Sequence, residues 1–318
     1  HLKRAFYMVG CGKAKKASPL FLSNPAATFL NSCRLRGSSC LFRRQFFRRM
    51  MSSPSRSSPS QRRGKSYSVE PFRVFAHLDT GKSLFYRAFF TLHEQTANIW
   101  THAIATAFFG ALGLREVGKS VLLGVPLEQR IGLSAFFLCA VFSYFSSTFL
   151  HSVAAFRDRD DNIRKDAFFG DLLGIYASGW GKAFALSSIA FHHSLLAFLG
   201  YNSLLTATVI LAFRHTLPPA TLLERTIYIG SASLTGLVPL FTLWMTQPWS
   251  HVATTLLCFA GFYLSLLIGA IFYLLGVPEC WFPNTFRYFN HSHQMWHLFV
   301  CLSDWLAYCG IKAMLLSP

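Results

Sequence analysis

Seven apolar runs, each long enough to reach across a bilayer, divide the chain from about residue 98 to its end. They fall at about 98–114, 131–152, 168–190, 197–213, 226–246, 252–276 and 293–316. The third and fourth are separated only by the polar pair His192–His193, a loop expectation rather than a ligand one. Ahead of the first lies "SLFYRAFFTL" (83–92), too short to span and patterned to lie along an interface. The pattern predicts an all-α membrane protein, a bundle of seven transmembrane helices. It shows no internal repeat and no pair of broken helices, which argues against a transporter.

Composition agrees with that reading. The 318 residues are 52% hydrophobic and 14% charged, where soluble domains carry about a quarter charged residues. The net charge of +17 sits mostly at one end: residues 1–69 hold 15 of the 30 Lys and Arg, and Glu70 is the first acid. The charge therefore belongs to a tail and not to a nucleic-acid-binding surface; no nucleic-acid partner is expected. Residues 1–75 are expected to be a disordered basic tail, drawn to anionic lipid or acting as a targeting segment, and residues 76–318 the membrane core. Eight scattered cysteines form no CxxC pair and indicate neither a disulfide framework nor a zinc finger.

Orientation follows from Lys and Arg near the span ends. The tail is basic, and Arg157, Arg159, Arg164 and Lys165 follow the second span. Arg214 and Arg225 flank the loop after the fourth, and Arg287 follows the sixth. Opposite them, the first loop has Arg115, Lys119 and Arg130, while the third and fifth have neither residue type. The N-terminus is thus expected in the cytoplasm. His151 at the end of the second span, Asp171 in the third, and His293 and His297 at the start of the seventh then share one depth near the cytoplasmic face.

Four potential ligands from three spans at one depth suggest chemistry. His293 and His297 are four apart, one turn along one helical face. Such a pair also occurs as an interfacial cap. Three neutral imidazoles around a divalent ion leave a fourth position open, as in catalytic zinc sites. Asp171 could then hold or deprotonate a water, and Ser147, four residues before His151, could donate a hydrogen bond into the site.

These residues lie in motifs that carry a family resemblance. "HEQTANIWTH" (93–102), "SSTFLH" (146–151), "GDLLGI" (170–175) and "HSHQMWH" (291–297) resemble, in order and spacing, the progestin and adipoQ receptor (PAQR) family, related to the hemolysin III proteins. The resemblance covers roughly residues 77–318. It implies seven helices with the N-terminus inside, Zn2+ held by His151, His293 and His297, and Asp171 holding the zinc water. It further implies a membrane-embedded receptor with a lipid or lipid-like ligand and, as one functional expectation, hydrolysis of a lipid amide such as ceramide. The rival expectation is a signalling receptor whose zinc is structural; the motifs serve both. The sequence departs from the adiponectin-receptor branch, which has a second His and a Cys after the second-helix His; "HSVAAFRDRDDNIRKD" has neither.

Several polar residues fall outside this scheme. His291, two residues from His293, is expected to be an interfacial bystander. His102 and Trp100 are expected to serve packing or interface anchoring. Lys182 and Asp304 each lie eleven residues, or three turns, beyond a proposed site residue, and so about 16 Å deeper. An ion pair between the third and seventh spans would avoid two isolated charges in hydrocarbon.

Overall fold

A computed structural model describes residues 81–155, 161–282, 285 and 288–316. The expected basic tail lies outside these residues. A short helix, α1 (Gly81–Phe90), precedes α2 (Thr96–Leu122), α3 (Leu127–Ala154), α4 (Asp161–Ala190) and α5 (Leu195–Thr216). Then come α6 (Leu222–Ser233), a 3-10 turn (Leu234–Gly236), α7 (Leu237–Thr246), α8 (Trp249–Leu275) and α9 (Ser292–Leu316). With α6 and α7 counted as one interrupted span, these are the seven expected spans, and there is no strand among the described residues.

Among the described residues, five segments are both long and apolar enough to cross a membrane: α3, α5, α6–α7, α8 and α9. The remaining two, α2 and α4, run 27 and 30 residues but are more polar. Several of their polar residues are buried within the protein: Asn98, His102 and Glu116 on α2, and Ser178, Lys182, Ser187 and Ser188 on α4. The sequence average thus understates spans whose polar face is turned inward. Helix α2 also outruns its expected end. Arg115 and Lys119 belong to its last turns rather than to a loop, because Glu116 is buried there against Lys312 of α9, at 3.6 Å.

Breaks in the pattern have local causes. Phe191–His193 form a turn, and Ser194 caps α5 by accepting from the Ala197 amide. Proline lacks an N–H and clashes with the carbonyl four residues back. For Pro239 that carbonyl is Thr235, and it accepts the Tyr201 hydroxyl at 3.0 Å; the Tyr263 hydroxyl donates to Ser233 at 3.1 Å. The irregular turn is thereby satisfied inside the protein.

The main core joins α2, α3, α4, α8 and α9 through Phe109, Phe136, Tyr144, Leu186, Phe259 and Ile311. Small residues bring these helices close together. At Gly174 of α4 a Cβ would stand 2.8 Å from the Ser143 backbone of α3. Helix α9 is tied to α8 by Thr255 Oγ1 donating to the Gly310 carbonyl and Ser265 Oγ donating to that of Phe299.

Deep in this core lies the expected ion pair. Lys182 Nζ is 2.8 Å from Asp304 Oδ1, with side chains 8% and 3% exposed. Tyr144 of α3 donates to Asp304 Oδ2 at 2.9 Å, and Lys182 donates to the Ser178 hydroxyl and carbonyl. Both charges are satisfied. The network joins α3, α4 and α9, the helices that also carry His151, Asp171 and the His293–His297 pair.

Candidate metal centre

His151 lies in the last turn of α3, and His293 and His297 lie in the first turns of α9, so the antiparallel course of the helices brings them to one end of the bundle. One ligand atom from each of the three falls within 4.8 Å of the other two, a grouping that can hold a metal ion. Two are deeply buried, His151 at 7% and His297 at 2% exposed.

The ring nitrogens turned away from the group are held by α2. His151 Nδ1 is 2.8 Å from Gln95 Oε1, which also accepts from Asn98 Nδ2. A carbonyl oxygen only accepts, so this bond places the His151 proton on Nδ1 and leaves a lone pair on Nε2. His297 Nδ1 is 3.1 Å from Thr101 Oγ1. That hydroxyl has a single proton, within reach of the Ala97 carbonyl at 2.8 Å and the Asn98 carbonyl at 3.0 Å. It therefore accepts from His297 Nδ1 and again leaves Nε2 free. Backing of this kind is what fixes ligand tautomers in metal sites.

The spacing suits a tetrahedral ion. Bonds of about 2.0–2.1 Å to imidazole imply tetrahedral edges of about 3.3–3.4 Å. His293 Nε2 lies 3.2 Å from His151 Nε2. His293 also packs against Tyr273 of α8, ring centroids 5.1 Å apart.

Asp171 is not part of the three-residue group. Its half-buried carboxylate hydrogen-bonds with the Ser147 side chain, one turn from His151 on α3. His291 precedes α9, its carbonyl accepting the Gln294 and Met295 amides, and stays outside the group. Trp100 anchors α1 by donating from Nε1 to the Phe89 carbonyl at 2.9 Å. His192 and His193 lie in their turn, with His192 Nδ1 bonded to Ile189 O. His102 packs as expected, and the ring it packs on is a member of the group: its centroid lies 3.7 Å from that of His297, with the two rings stacked.

Two supports have roles that the sequence motifs do not assign. One is the α2 face carrying Gln95, Asn98, Thr101 and His102, whose spacing of three and four puts them on one helical side. That periodicity was visible, but the residues are of types that more often cap or pack. The turn before α2 holds this face in place: His93 Nε2 donates to the Ala88 carbonyl, and the Gln95 amide donates to His93 Nδ1. Burial keeps the His93 imidazole below its ordinary pKa, as this neutral role requires. The other is Glu279, which accepts from the Ser292 amide at 2.7 Å and from its hydroxyl, capping α9 just before His293. Gln95→Ala is expected to lower metal affinity about 10–100-fold with the helical content unchanged, read by chelator competition and circular dichroism.

The chain matches known proteins over the same region. A profile of the family described as haemolysin-III related matches residues 90–308. The chain is 27% identical to the adiponectin receptor protein of Drosophila melanogaster over 243 residues, 72% of this chain and 52% of that protein. It is 27% identical to progestin and adipoQ receptor family member 3 of Mus musculus over 229 residues, 67% of this chain and 70% of that protein. It is 26% identical to heptahelical transmembrane protein 3 of Arabidopsis thaliana over 277 residues, 72% and 78% of the two chains. It spans only about half the length of the Drosophila protein. The matched region runs from the Gln95 face of α2 through the His293–His297 pair of α9, and the chain belongs to the haemolysin-III related family of membrane proteins that includes the progestin and adipoQ receptors.

Proposed function

We propose that His151, His293 and His297 hold Zn2+ and that the site hydrolyses a lipid amide of the ceramide class, in a receptor-like protein whose site opens toward the cytoplasm. The observation that carries this reading is the pair of Nε2 atoms 3.2 Å apart, with two of the three imidazoles backed at Nδ1 by α2. The donor set fits zinc: three neutral imidazoles with a fourth position open is a catalytic arrangement, whereas closed structural sites use four protein ligands. The orientation rests on the distribution of Lys and Arg between the two ends of the spans.

When bound, zinc supplies Lewis acidity toward a carbonyl oxygen and makes water a nucleophile near neutral pH. The chain's residues manage the protons. Asp171 accepts a proton from the attacking water as the water oxygen bonds to the acyl carbon. It returns that proton to the amide nitrogen as the C–N bond breaks, leaving a fatty acid and an amine. Ser147, bonded to Asp171, orients the carboxylate. The apolar outer faces of α3 and α9, with Leu138 and Leu298 exposed, suit lateral entry of a lipid from the bilayer.

The test is fatty-acid release from ceramide by the purified zinc-loaded chain. Asp171→Ala is expected to lower the rate by about 10²–10⁴-fold while retaining the metal. Stoichiometric zinc with no turnover across a panel of lipid amides would establish the structural role instead.

A further inference from the structure

Helix α2 presents two unused polar groups beside the triad. His102 is 6% exposed, and neither ring nitrogen has a hydrogen-bond partner among the described residues. Asn98 is 2% exposed; its Nδ2 is committed to Gln95, but its Oδ1 has no partner. The two residues are four apart, one turn along one face of α2. Both are built into the site: Asn98 through Gln95 to His151, and His102 by stacking on His297 at 3.7 Å with an 18° interplanar angle.

Packing does not account for a histidine at this position. The ring of His102 is fixed by His297 on its face and by Tyr144, centroids 5.2 Å apart, and the Tyr144 hydroxyl is given to Asp304. A phenylalanine could make both contacts without burying two polar nitrogens. Buried polar groups are nearly always hydrogen-bonded, and an exception next to a binding site points to a ligand.

The unused groups have a definite chemical pattern. A neutral imidazole offers one N–H donor, and Asn98 Oδ1 offers an acceptor. Donor and acceptor one helical turn apart complement the carbonyl oxygen and the N–H of a secondary amide. We propose that His102 and Asn98 recognise the amide group of the substrate, with the His102 N–H donating to the carbonyl oxygen and Asn98 Oδ1 accepting from the amide N–H. An ester lacks that N–H and would turn an oxygen lone pair toward Asn98 Oδ1, so the pair makes the site selective for amides over esters. As negative charge develops on the carbonyl oxygen, the His102 donor gains strength. The proposal rests on the reading of the triad as a zinc site.

The test uses the purified chain loaded with Co2+, whose visible spectrum reports ligands at the metal. The probes are a short-chain N-acyl amide and the matching O-acyl ester, titrated in bilayer nanodiscs. The native chain is expected to bind the amide about tenfold more tightly than the ester. Asn98→Leu is expected to bring the two within about twofold. His102→Phe, which keeps both ring contacts, is expected to weaken both probes about tenfold with the preference intact. Both variants are expected to hold one Co2+ per chain. Equal binding of the probes by the native chain overturns the proposal without any variant. A preference surviving in Asn98→Leu, or unchanged binding in His102→Phe, also overturns it. Loss of metal in both variants would make these residues supports of the triad and overturn it too. A native chain that holds no metal would remove the zinc reading, and this proposal with it.

Discussion

Asp304→Asn is expected to destabilise the bundle by about 3–5 kcal/mol, because it leaves the Lys182 ammonium buried without its counter-charge. Lys182 is 8% exposed on its side chain and has no second carboxylate partner among the described residues; it also donates to the Ser178 hydroxyl and carbonyl and lies 5.9 Å from the Phe262 ring centroid. Tyr144 and Ser178 would keep an oxygen to donate to, so the loss isolates the charge rather than the hydrogen bonds. Adding Lys182→Met removes the stranded charge and is expected to restore most of the stability, since a well-packed apolar pair often equals a buried ion pair. Denaturant unfolding in mild detergent reads both, and the coupling between the two changes measures the pair. A double variant as unstable as Asp304→Asn alone would contradict the assignment.

That network also shows what the sequence could and could not disclose. The ion pair was legible because two charges inside apolar runs at equal depth have few other solutions. The grouping of His151, His293 and His297 was legible for a related reason: polar residues at matching depth in separate spans narrow the geometry before any coordinates exist. Helix boundaries followed the apolar pattern except at α2, where the buried Glu116 extends the helix beyond the hydrophobic run, and at α4, which begins at Asp161, seven residues ahead of its apolar run. The supporting shell was harder to read. Gln95 and Thr101 reach His151 and His297 by side-chain hydrogen bonds to residues far along the chain, which no local pattern encodes, and Asn98 reaches His151 only through Gln95. Glu279 was hidden because its role depends on where the chain turns into α9. Stacking of His102 on His297 depends on the rotation of α2 about its axis, which an apolar run does not specify.

Removing one imidazole of the triad is the second large effect. Structural zinc sites bind with about 10–16 kcal/mol spread over their ligands, so one ligand carries roughly 3–4 kcal/mol. His293→Ala is therefore expected to weaken zinc binding about 100–1000-fold. His293 is the least buried of the three and lies eleven residues, about 16 Å along α9, from Asp304, so the fold is expected to survive its loss. His291→Ala, outside the group, is the matched control and is expected to leave zinc binding unchanged.

If the three histidines form one metal site, they hold a single ion between α3 and α9. Zinc content of the purified chain, measured by mass spectrometry of the metal beside its His293→Ala variant, tests it most directly. One zinc per native chain, lost in the variant while the helical content stays constant, is the predicted result. A native chain with little zinc, or a variant that keeps a full complement, would contradict it.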